Sequence, residues 1–248
     1  MTRAVIPRLL LALAVVIALA LRCPQLGLRP MHNDEAVNAL KFRPLLEHGD
    51  YHYDPAEHHG PTLAYLTLAW TRLTGAPDFA HLTEARLRLL PVLFGIGLIL
   101  LLPLVADGLG REAALCAALL TAISPAMVFY SRYYIHEMIF VFFTFLALAA
   151  AWRYLRNPRL GWALLAGAAL GLMQCSKETF VLPLAAATIA AVVTRLGRVP
   201  PPPPTCRVPQ PGETRWVPGS AGVSPAASGV PPDAPRPHPP PISGGGPC

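Results

Sequence analysis

The sequence predicts an all-α protein, a polytopic transmembrane helix bundle of about six spans. Hydrophobic residues make up 53% of the chain and charged residues only 14%, whereas a typical soluble domain carries roughly 25% charged residues. The apolar residues form separate runs, each close to the length that a helix needs to cross the apolar part of a bilayer. Arginines stand at the ends of these runs, which is typical of membrane proteins with a fixed orientation.

The first predicted span covers residues 4–21 and has arginines near its start. A basic start before an apolar stretch is also typical of a secretory signal peptide. The residues that follow, Arg22, Cys23 and Pro24, do not form a small-residue cleavage site. We therefore favour an uncleaved first helix.

Residues 22–87 are polar and contain one weaker apolar stretch at 61–75. At about 1.5 Å per residue this stretch is short for an apolar core of about 30 Å. It predicts a helix that lies in the membrane interface or packs at its surface, with a full span as the alternative. The segment as a whole is interpreted as an external loop that is partly helical.

Five further apolar runs complete the predicted bundle, at residues 89–106, 113–130, 137–152, 160–175 and 179–194. The last three are short, so they must use flanking residues or local thinning of the bilayer to cross it. Gly161, Gly167 and Gly171 lie on one side of the run at 160–175 at helical spacing. Small residues on one helical face predict close contact with a neighbouring helix.

The arginines also predict the orientation of the bundle. With the N-terminus in the cytoplasm, the cytoplasmic ends carry Arg3, Arg8, Arg111, Arg153, Arg156, Arg159, Arg195 and Arg198. The other side then receives the loop at 22–87, the turn at 131–136 and the turn near Lys177. We expect a multi-pass protein of the cell's inner (plasma) membrane.

Two other classes of function are disfavoured. The net charge is +6, but the basic residues stand at span ends and form no stripe interleaved with aromatic residues, so nucleic-acid binding is not expected. The five cysteines are scattered and form no CxxC pair, so neither a disulfide framework nor a zinc site is indicated.

The segment 199–248 differs in composition from the predicted membrane part at 1–198. It opens with five consecutive prolines and holds 17 of the 29 prolines of the chain. A segment with so few large apolar residues cannot offset its conformational entropy by burial, which predicts a disordered proline-rich tail. A ligand for a proline-binding module is the alternative, although no clean basic PxxP core is present.

The stretch at 31–61 holds five of the eight histidines and six of the fourteen acids. Binding and catalytic residues are often found on such loops. Asp34 and Glu35 lie early in a predicted helix at 33–46, where acids favour the helix dipole and Asn33 is a plausible N-cap. The functional alternative is a carboxylate base that deprotonates a hydroxyl group.

Further candidates flank this pair. His58 and His59 follow Glu57, and imidazoles with a carboxylate suit zinc or a similar divalent ion. Their spacing fits no defined metal motif, so a solvated polar loop is the alternative. Arg132, His136 and Lys177 lie on the same predicted side, where a cationic cluster would suit a lipid-linked phosphate.

Five parts of the sequence form a pattern in a fixed order: 31–36, 58–63, 86–91, 124–125 with 130–133, and 172–179. Together they resemble the membrane glycosyltransferases of the GT-C class, near the protein O-mannosyltransferases and the lipid A aminoarabinose transferases. The resemblance covers about residues 4–195 and is closest, at 53–63, to a subgroup labelled flippase-activity-associated.

The resemblance implies a helix bundle whose first external loop forms part of the active site. The donor would be a sugar on a polyprenyl phosphate, and the acceptor a hydroxyl of a protein, lipid or glycan. Asp34 would be the base and Glu35 its support, while Arg132 and Lys177 would hold the donor phosphate. His58 and His59 fall where some relatives carry a metal-binding carboxylate next to a lysine.

Members of this class usually continue well past six spans, so we expect a truncated or frame-shifted member. A non-catalytic truncated membrane protein is therefore one alternative function. A transporter component is another, but it would place ionisable residues deep inside spans, and the apolar runs contain none there.

Overall fold

The computed structural model of the chain describes residues 2–54, 59–76 and 78–197. Within this part, all the regular elements are α-helices or short 3-10 helices, and one isolated β-bridge joins His59 to Lys177. The all-α prediction is confirmed. His58 and the predicted tail at 199–248 lie outside the described residues.

The described residues form ten α-helices and three short 3-10 helices. Three precede the second membrane span: α1 (Thr2–Arg22), α2 (Asn33–His48) and α3 (Thr62–Thr74). The others are α4 (Glu84–Leu101), α5 (Ala106–Leu109), α6 (Arg111–Ile123), α7 (Pro125–Ser131), α8 (Glu137–Arg156), α9 (Leu160–Gln174) and α10 (Val181–Leu196). Short 3-10 helices occupy Phe79–His81, Leu102–Val105 and Glu178–Phe180.

Among the described residues, four helical segments are long and apolar enough to cross a membrane, with mean hydropathies from 1.8 to 2.7. They are Val5–Arg22, Glu84–Leu109, Glu137–Arg156 and Glu178–Leu196. The pair α6 and α7 makes a fifth span if it is counted as one, and α9 is apolar but shorter. Each of the six predicted runs is therefore helical, while length and composition support four to five spans.

The bend of 59° between α6 and α7 follows from the sequence Ser124-Pro125. A residue before proline avoids the helical region, and Ser124 is extended with ψ of 123°. The Ser124 hydroxyl then accepts a hydrogen bond from the backbone N–H of Met127 and begins the next helix.

The contacts of two buried arginines show the relative directions of α1, α4 and α6. Arg22, at the end of α1, donates to the carbonyls of Thr121 and Ala122 at the end of α6, at 2.9 and 2.7 Å. The two helices therefore run in the same direction. Arg88, near the start of α4, donates to the carbonyl of Leu26 just beyond α1, at 2.6 Å, so α4 runs the opposite way.

The external helix predicted from the stretch at 61–75 is α3, which is not among the helices able to span a membrane. It packs against the end of the bundle. Its Thr67 hydroxyl lies 2.7 Å from the hydroxyl of Tyr134, and its Trp70 Nε1 donates to the carbonyl of Arg86 at 2.9 Å.

The predicted packing through the glycines of α9 is wrong for this chain. A Cβ added to Gly161, Gly167 or Gly171 would meet nothing within 4 Å. The spacing of the glycines identified a small-residue face on α9, but it did not identify which helix packs against that face. The α9 helix packs against α8 through other residues, among them Ala169 and Met173, whereas a glycine contact joins α4 and α8, where Gly97 packs against the ring of Phe142.

Candidate active site at one end of the bundle

The loop at 22–87 and the turn at 131–136 meet at one end of the helix bundle. The carboxylate of Glu35 lies buried at the centre of this region. It is fully buried and accepts two hydrogen bonds of 2.8 Å from the Arg88 guanidinium. Backbone N–H groups of His32 and Tyr134 donate to it at 2.9 Å each. Glu35 therefore ties together the start of α2, the start of α4 and the turn before α8.

The charge state of Glu35 follows from these contacts. Burial alone would raise the pKa of its carboxyl group, because a charged group loses solvation. The hydrogen bonds from Arg88, His32 and Tyr134 outweigh burial, and the net pKa lies below the usual value. Glu35 is therefore an ionised, fully partnered group.

The partner Arg88 is only 1% exposed and organises the chain before α2. Besides Glu35, its guanidinium donates to the carbonyls of Leu26, Arg29 and Pro30 at 2.6 to 3.1 Å. The planar fork of arginine suits such simultaneous contacts. Sequence analysis did not assign Arg88 a role. A usable signal was its position on the side that the sequence predicts to be external, where the positive-inside rule does not expect arginines.

Asp34 lies beside Glu35 but in a different environment. Its side chain is 69% exposed, in the first turn of α2, with Oδ2 at 3.6 Å from Nδ1 of His32. His32, and not Asn33, is the N-cap of this helix, and it forms a capping box with Glu35. Of the two neighbouring acids, Asp34 is thus the one that a substrate can reach.

A polar cavity of about 290 Å³ opens one turn further along α2. Its polar lining residues are Asn38, Lys41, Tyr51, His52, Asp54, His59, Tyr134 and His136. Asn38 follows Asp34 by four residues, so both side chains lie on the same face of the helix. The Tyr51 ring, 5.6 Å from the Tyr65 ring, adds an aromatic surface. Such mixed donors and acceptors beside an aromatic ring suit a polyhydroxylated ligand.

A second, smaller cavity of about 100 Å³, the arginine cavity, lies on the other side of Glu35. It is lined by Gln25, Leu26, Arg29, Arg88, Phe129, Arg132 and Tyr133. The Arg29 guanidinium stacks on the Tyr133 ring at 3.8 Å and lies 3.6 Å from Glu35 Oε2. Glu35 contacts residues of both cavities, because Tyr134 lines the polar cavity and Arg29 lines the arginine cavity.

The two cations predicted to hold one phosphate take different partners. Arg132 lies in the arginine cavity and donates to the carbonyls of Leu21 and Pro24 at 3.0 and 2.8 Å. Lys177 donates to the Glu137 carboxylate at 2.8 Å, next to the β-bridge that joins it to His59. Arg132 therefore faces the arginine cavity, and Lys177 lies behind the wall of the polar cavity.

His136 is buried in the wall of the polar cavity, and its ring lies 4.8 Å from the ring of His59. Burial lowers the pKa of His136 to about 4, and the neighbouring His59 acts in the same direction. His136 is thus neutral near neutral pH. It can donate or accept hydrogen bonds but does not add to a cationic cluster.

The segment around His59 is fixed to the end of α9. The backbone N–H of Thr62 donates to the carbonyl of Cys175 and its hydroxyl donates to the carbonyl of Leu172, at 3.2 Å each. Gly60 lies directly against the Cys175 backbone, so a side chain there has no room. This docking places His59 beside His136 and completes the wall of the polar cavity.

No metal centre is formed by the described side chains. Among the described ranges there is no group of three or more His, Cys, Asp or Glu residues placed to hold a metal ion. His59 contacts His136 and Lys177, while His58 lies outside the described residues. Metal binding by His58 and His59 therefore stays a prediction.

Two solved structures are similar to the chain in fold. One is the Archaeoglobus fulgidus oligosaccharyltransferase tethered to an acceptor peptide, with a TM-score of 0.58 and 18% identity, covering 76% of this chain and 25% of that chain. The other is the archaeal oligosaccharyltransferase from Archaeoglobus fulgidus in complex with an inhibitory peptide and a dolichol-phosphate. Its TM-score is 0.60 at 19% identity, covering 76% of this chain and 26% of that chain.

The chain thus spans about a quarter of the length of these oligosaccharyltransferases. No curated protein sequence matches it. The family model of dolichyl-phosphate-mannose-protein mannosyltransferases matches residues 58–200, more than half of the chain. The resemblance to GT-C glycosyltransferases is confirmed, and the chain belongs to the dolichyl-phosphate-mannose-protein mannosyltransferase family.

Proposed function

We propose that the protein transfers a sugar from a polyprenyl-phosphate donor to an acceptor hydroxyl at the external face of the inner membrane, with its N-terminus in the cytoplasm. One observation carries this proposal: the accessible Asp34 directly precedes the fixed Glu35, and the partners of Glu35 line both a polar cavity, through Tyr134, and an arginine cavity, through Arg29. A base next to separate sites for hydroxyl groups and for phosphate is the arrangement that such a transfer needs.

In the proposed reaction, Asp34 accepts the proton of the acceptor hydroxyl while the hydroxyl oxygen attacks the anomeric carbon of the sugar. The bond between that carbon and the phosphate oxygen breaks, and the polyprenyl phosphate leaves with the bonding electrons. Glu35 does not touch the substrate in this scheme. It holds the first turn of α2 through Arg88 and thereby positions Asp34.

The arginine cavity is proposed as the site of the donor phosphate. Arg132 and Arg29 are its partly exposed guanidiniums, whereas Arg88 is saturated by Glu35 and by backbone carbonyls. Positive charge beside the phosphate stabilises the negative charge that grows on the leaving group. The lipid tail of the donor would lie along the apolar surface of the spans.

The polar cavity is proposed to receive the sugar and the acceptor group. His136 would form hydrogen bonds to the sugar or the acceptor as a neutral group. Lys177, which donates to Glu137, would help to hold His59 in the wall of the polar cavity. The description of the family suggests mannose and a protein hydroxyl as the first substrates to test. The polyprenyl carrier is supported by the dolichol-phosphate bound to the similar oligosaccharyltransferase.

The proposal is tested with the full chain in membranes, a radiolabelled mannosyl polyprenyl phosphate and membrane proteins as acceptors. Asp34→Asn should lower transfer by about a hundredfold or more while the amount of protein in the membrane stays unchanged. Asp50→Asn, an exposed acid in the same loop that lines neither cavity, is the matched control.

Full transfer by Asp34→Asn would refute the role of Asp34. Absence of transfer by the unchanged chain, in membranes where another member of the family is active, would contradict catalysis by this chain alone. That result would favour the alternative of a non-catalytic membrane protein.

A further inference from the structure

The opposite end of the bundle contains a cavity of about 270 Å³ between α1, α5 and α6. This basic-end cavity is lined by Pro7, Arg8, Leu11, Pro103, Ala106, Arg111, Ala114 and Leu115. Apart from its two arginines, the side chains that line it are apolar. It lies away from Asp34, because α1 and α6 both begin here and both end beside Arg22.

Two prolines that interrupt regular helical structure lie beside this cavity. Pro7 lies inside α1, where it removes one helical hydrogen bond, and Pro103 lies in the 3-10 segment that interrupts the helix after Leu101. Nearer the middle of the bundle, α1 and α6 pack closely through the small side chains of Ala14, Ala18 and Ala118, which are all buried. The cavity therefore lies where Pro7 interrupts the hydrogen bonding of α1 and Pro103 stands in the neighbouring 3-10 segment.

The two arginines of this cavity have no partner within the described chain. Neither Arg8 nor Arg111 makes a hydrogen bond or an ion pair from its side chain there, although Glu112 is next to Arg111 in sequence. Two other arginines at this end are neutralised, since Arg153 and Arg156 lie 3.4 and 3.5 Å from Asp107 Oδ2. The basic-end cavity therefore brings the unpaired charges of Arg8 and Arg111 together against one apolar wall.

We propose that the basic-end cavity binds an anionic phospholipid of the bilayer. The lipid phosphate lies between the guanidiniums of Arg8 and Arg111, and part of one acyl chain occupies the apolar wall formed by Leu11, Ala114 and Leu115. Guanidinium groups bind phosphate oxygens by charge-assisted hydrogen bonds, and basic pockets between membrane helices select anionic head groups. A zwitterionic lipid brings its own ammonium group, which competes with the arginines for the phosphate. This site does not depend on the proposed glycosyl transfer.

The test is a lipid titration of the purified full chain in detergent, followed by native mass spectrometry. The probes are palmitoyl-oleoyl phosphatidylglycerol and the phosphatidylcholine with the same chains. We expect the chain to bind phosphatidylglycerol at least about tenfold more tightly, and the double variant Arg8→Gln with Arg111→Gln to lose this preference. Arg159→Gln is the matched control, because Arg159 is exposed at the same end but does not line the cavity.

Two further arms separate a specific site from general effects. The double variant Arg8→Lys with Arg111→Lys keeps the charge and should keep most of the preference, which excludes misfolding as the cause of a loss. Excess inorganic phosphate should leave phosphatidylglycerol bound. The proposal is overturned if the unchanged chain does not distinguish the two lipids, if the glutamine double variant retains the preference, if Arg159→Gln loses it equally, or if inorganic phosphate displaces the lipid.

Discussion

Glu35 and Arg88 form a doubly hydrogen-bonded pair, with both contacts at 2.8 Å and with side chains that are 0% and 1% exposed. The pair joins residues that are 53 positions apart in the sequence. A buried ion pair is stable only when its remaining donors and acceptors are also satisfied. Here the backbone N–H groups of His32 and Tyr134 and three carbonyls before α2 complete the network.

Replacing one partner of this pair should strongly destabilise the protein. Glu35→Gln leaves the Arg88 charge buried without its counter-ion, which typically costs about 3–5 kcal/mol. We expect a clear drop in the thermal unfolding temperature of the purified chain, measured by differential scanning fluorimetry. Glu47→Gln is the control, because the Arg43–Glu47 pair is an exposed i,i+4 pair that should contribute less than about 1 kcal/mol. Equal effects of the two substitutions would contradict the structural role of Glu35.

Gly60→Ala should open the contact between the His59 segment and the end of α9. The new methyl group would strike the Cys175 backbone, which cannot move without disturbing the Thr62 hydrogen bond to the same carbonyl. We expect faster proteolytic cleavage near residue 60 and a loss of transfer activity.

The matched control for this substitution is Gly161→Ala. Gly161 lies inside α9 with open space around its Cα, and alanine favours a helix over glycine by about 1 kcal/mol. That variant should be as stable as the unchanged chain or slightly more stable. Normal protease resistance of Gly60→Ala would refute the proposed docking.

The positions of the helices were largely predictable, because apolar runs bounded by arginines dictate both the spans and their alternation. The run at 113–130 was predicted as a single span, and the sequence Ser124-Pro125 contained the signal for its bend. The small-residue face of α9 was misassigned because periodicity identifies a face without identifying a partner. Gly97 and Gly108, which do lie against aromatic rings, show no such periodic pattern.

The candidate site was predicted only in part. Asp34 and Glu35 were identified as a pair, but their different environments depend on Arg88 and Tyr134, which reach Glu35 from 53 and 99 positions away. The role of Arg22 depends in the same way on carbonyls about a hundred residues further along the chain. Contacts of this kind arise from helix packing, and a linear pattern does not encode them.

Stability should fall in mildly acidic solution because of His136. Its pKa is lowered from 6.5 to about 4 by burial, so the unfolded chain binds a proton more readily than the folded one. The stabilisation by neutral His136 is therefore complete above about pH 6.5 and is lost progressively as the pH falls toward 4.

His136→Gln should flatten the pH dependence of the unfolding temperature between pH 6.5 and 4, because glutamine does not titrate. Glu35, whose pKa is lowered, adds its own loss of stability at more acidic pH, and it does so equally in both proteins. The exposed His48→Gln is the control and should leave the profile unchanged. A parallel profile for the unchanged chain and His136→Gln would show that His136 does not govern this range.

Arg29→Gln and Arg132→Gln should each weaken the binding of the polyprenyl-phosphate donor. Both guanidiniums line the arginine cavity, and each charge-assisted contact to a phosphate is typically stronger than a neutral hydrogen bond. We expect the KM for the donor to rise by about tenfold per substitution while the KM for the acceptor changes little. Arg72→Gln is the control, since Arg72 is exposed at the end of α3 and lines neither cavity. If Arg132→Gln instead lowers the affinity for the acceptor alone, the two cavities have the reverse assignment, with the donor phosphate in the polar cavity.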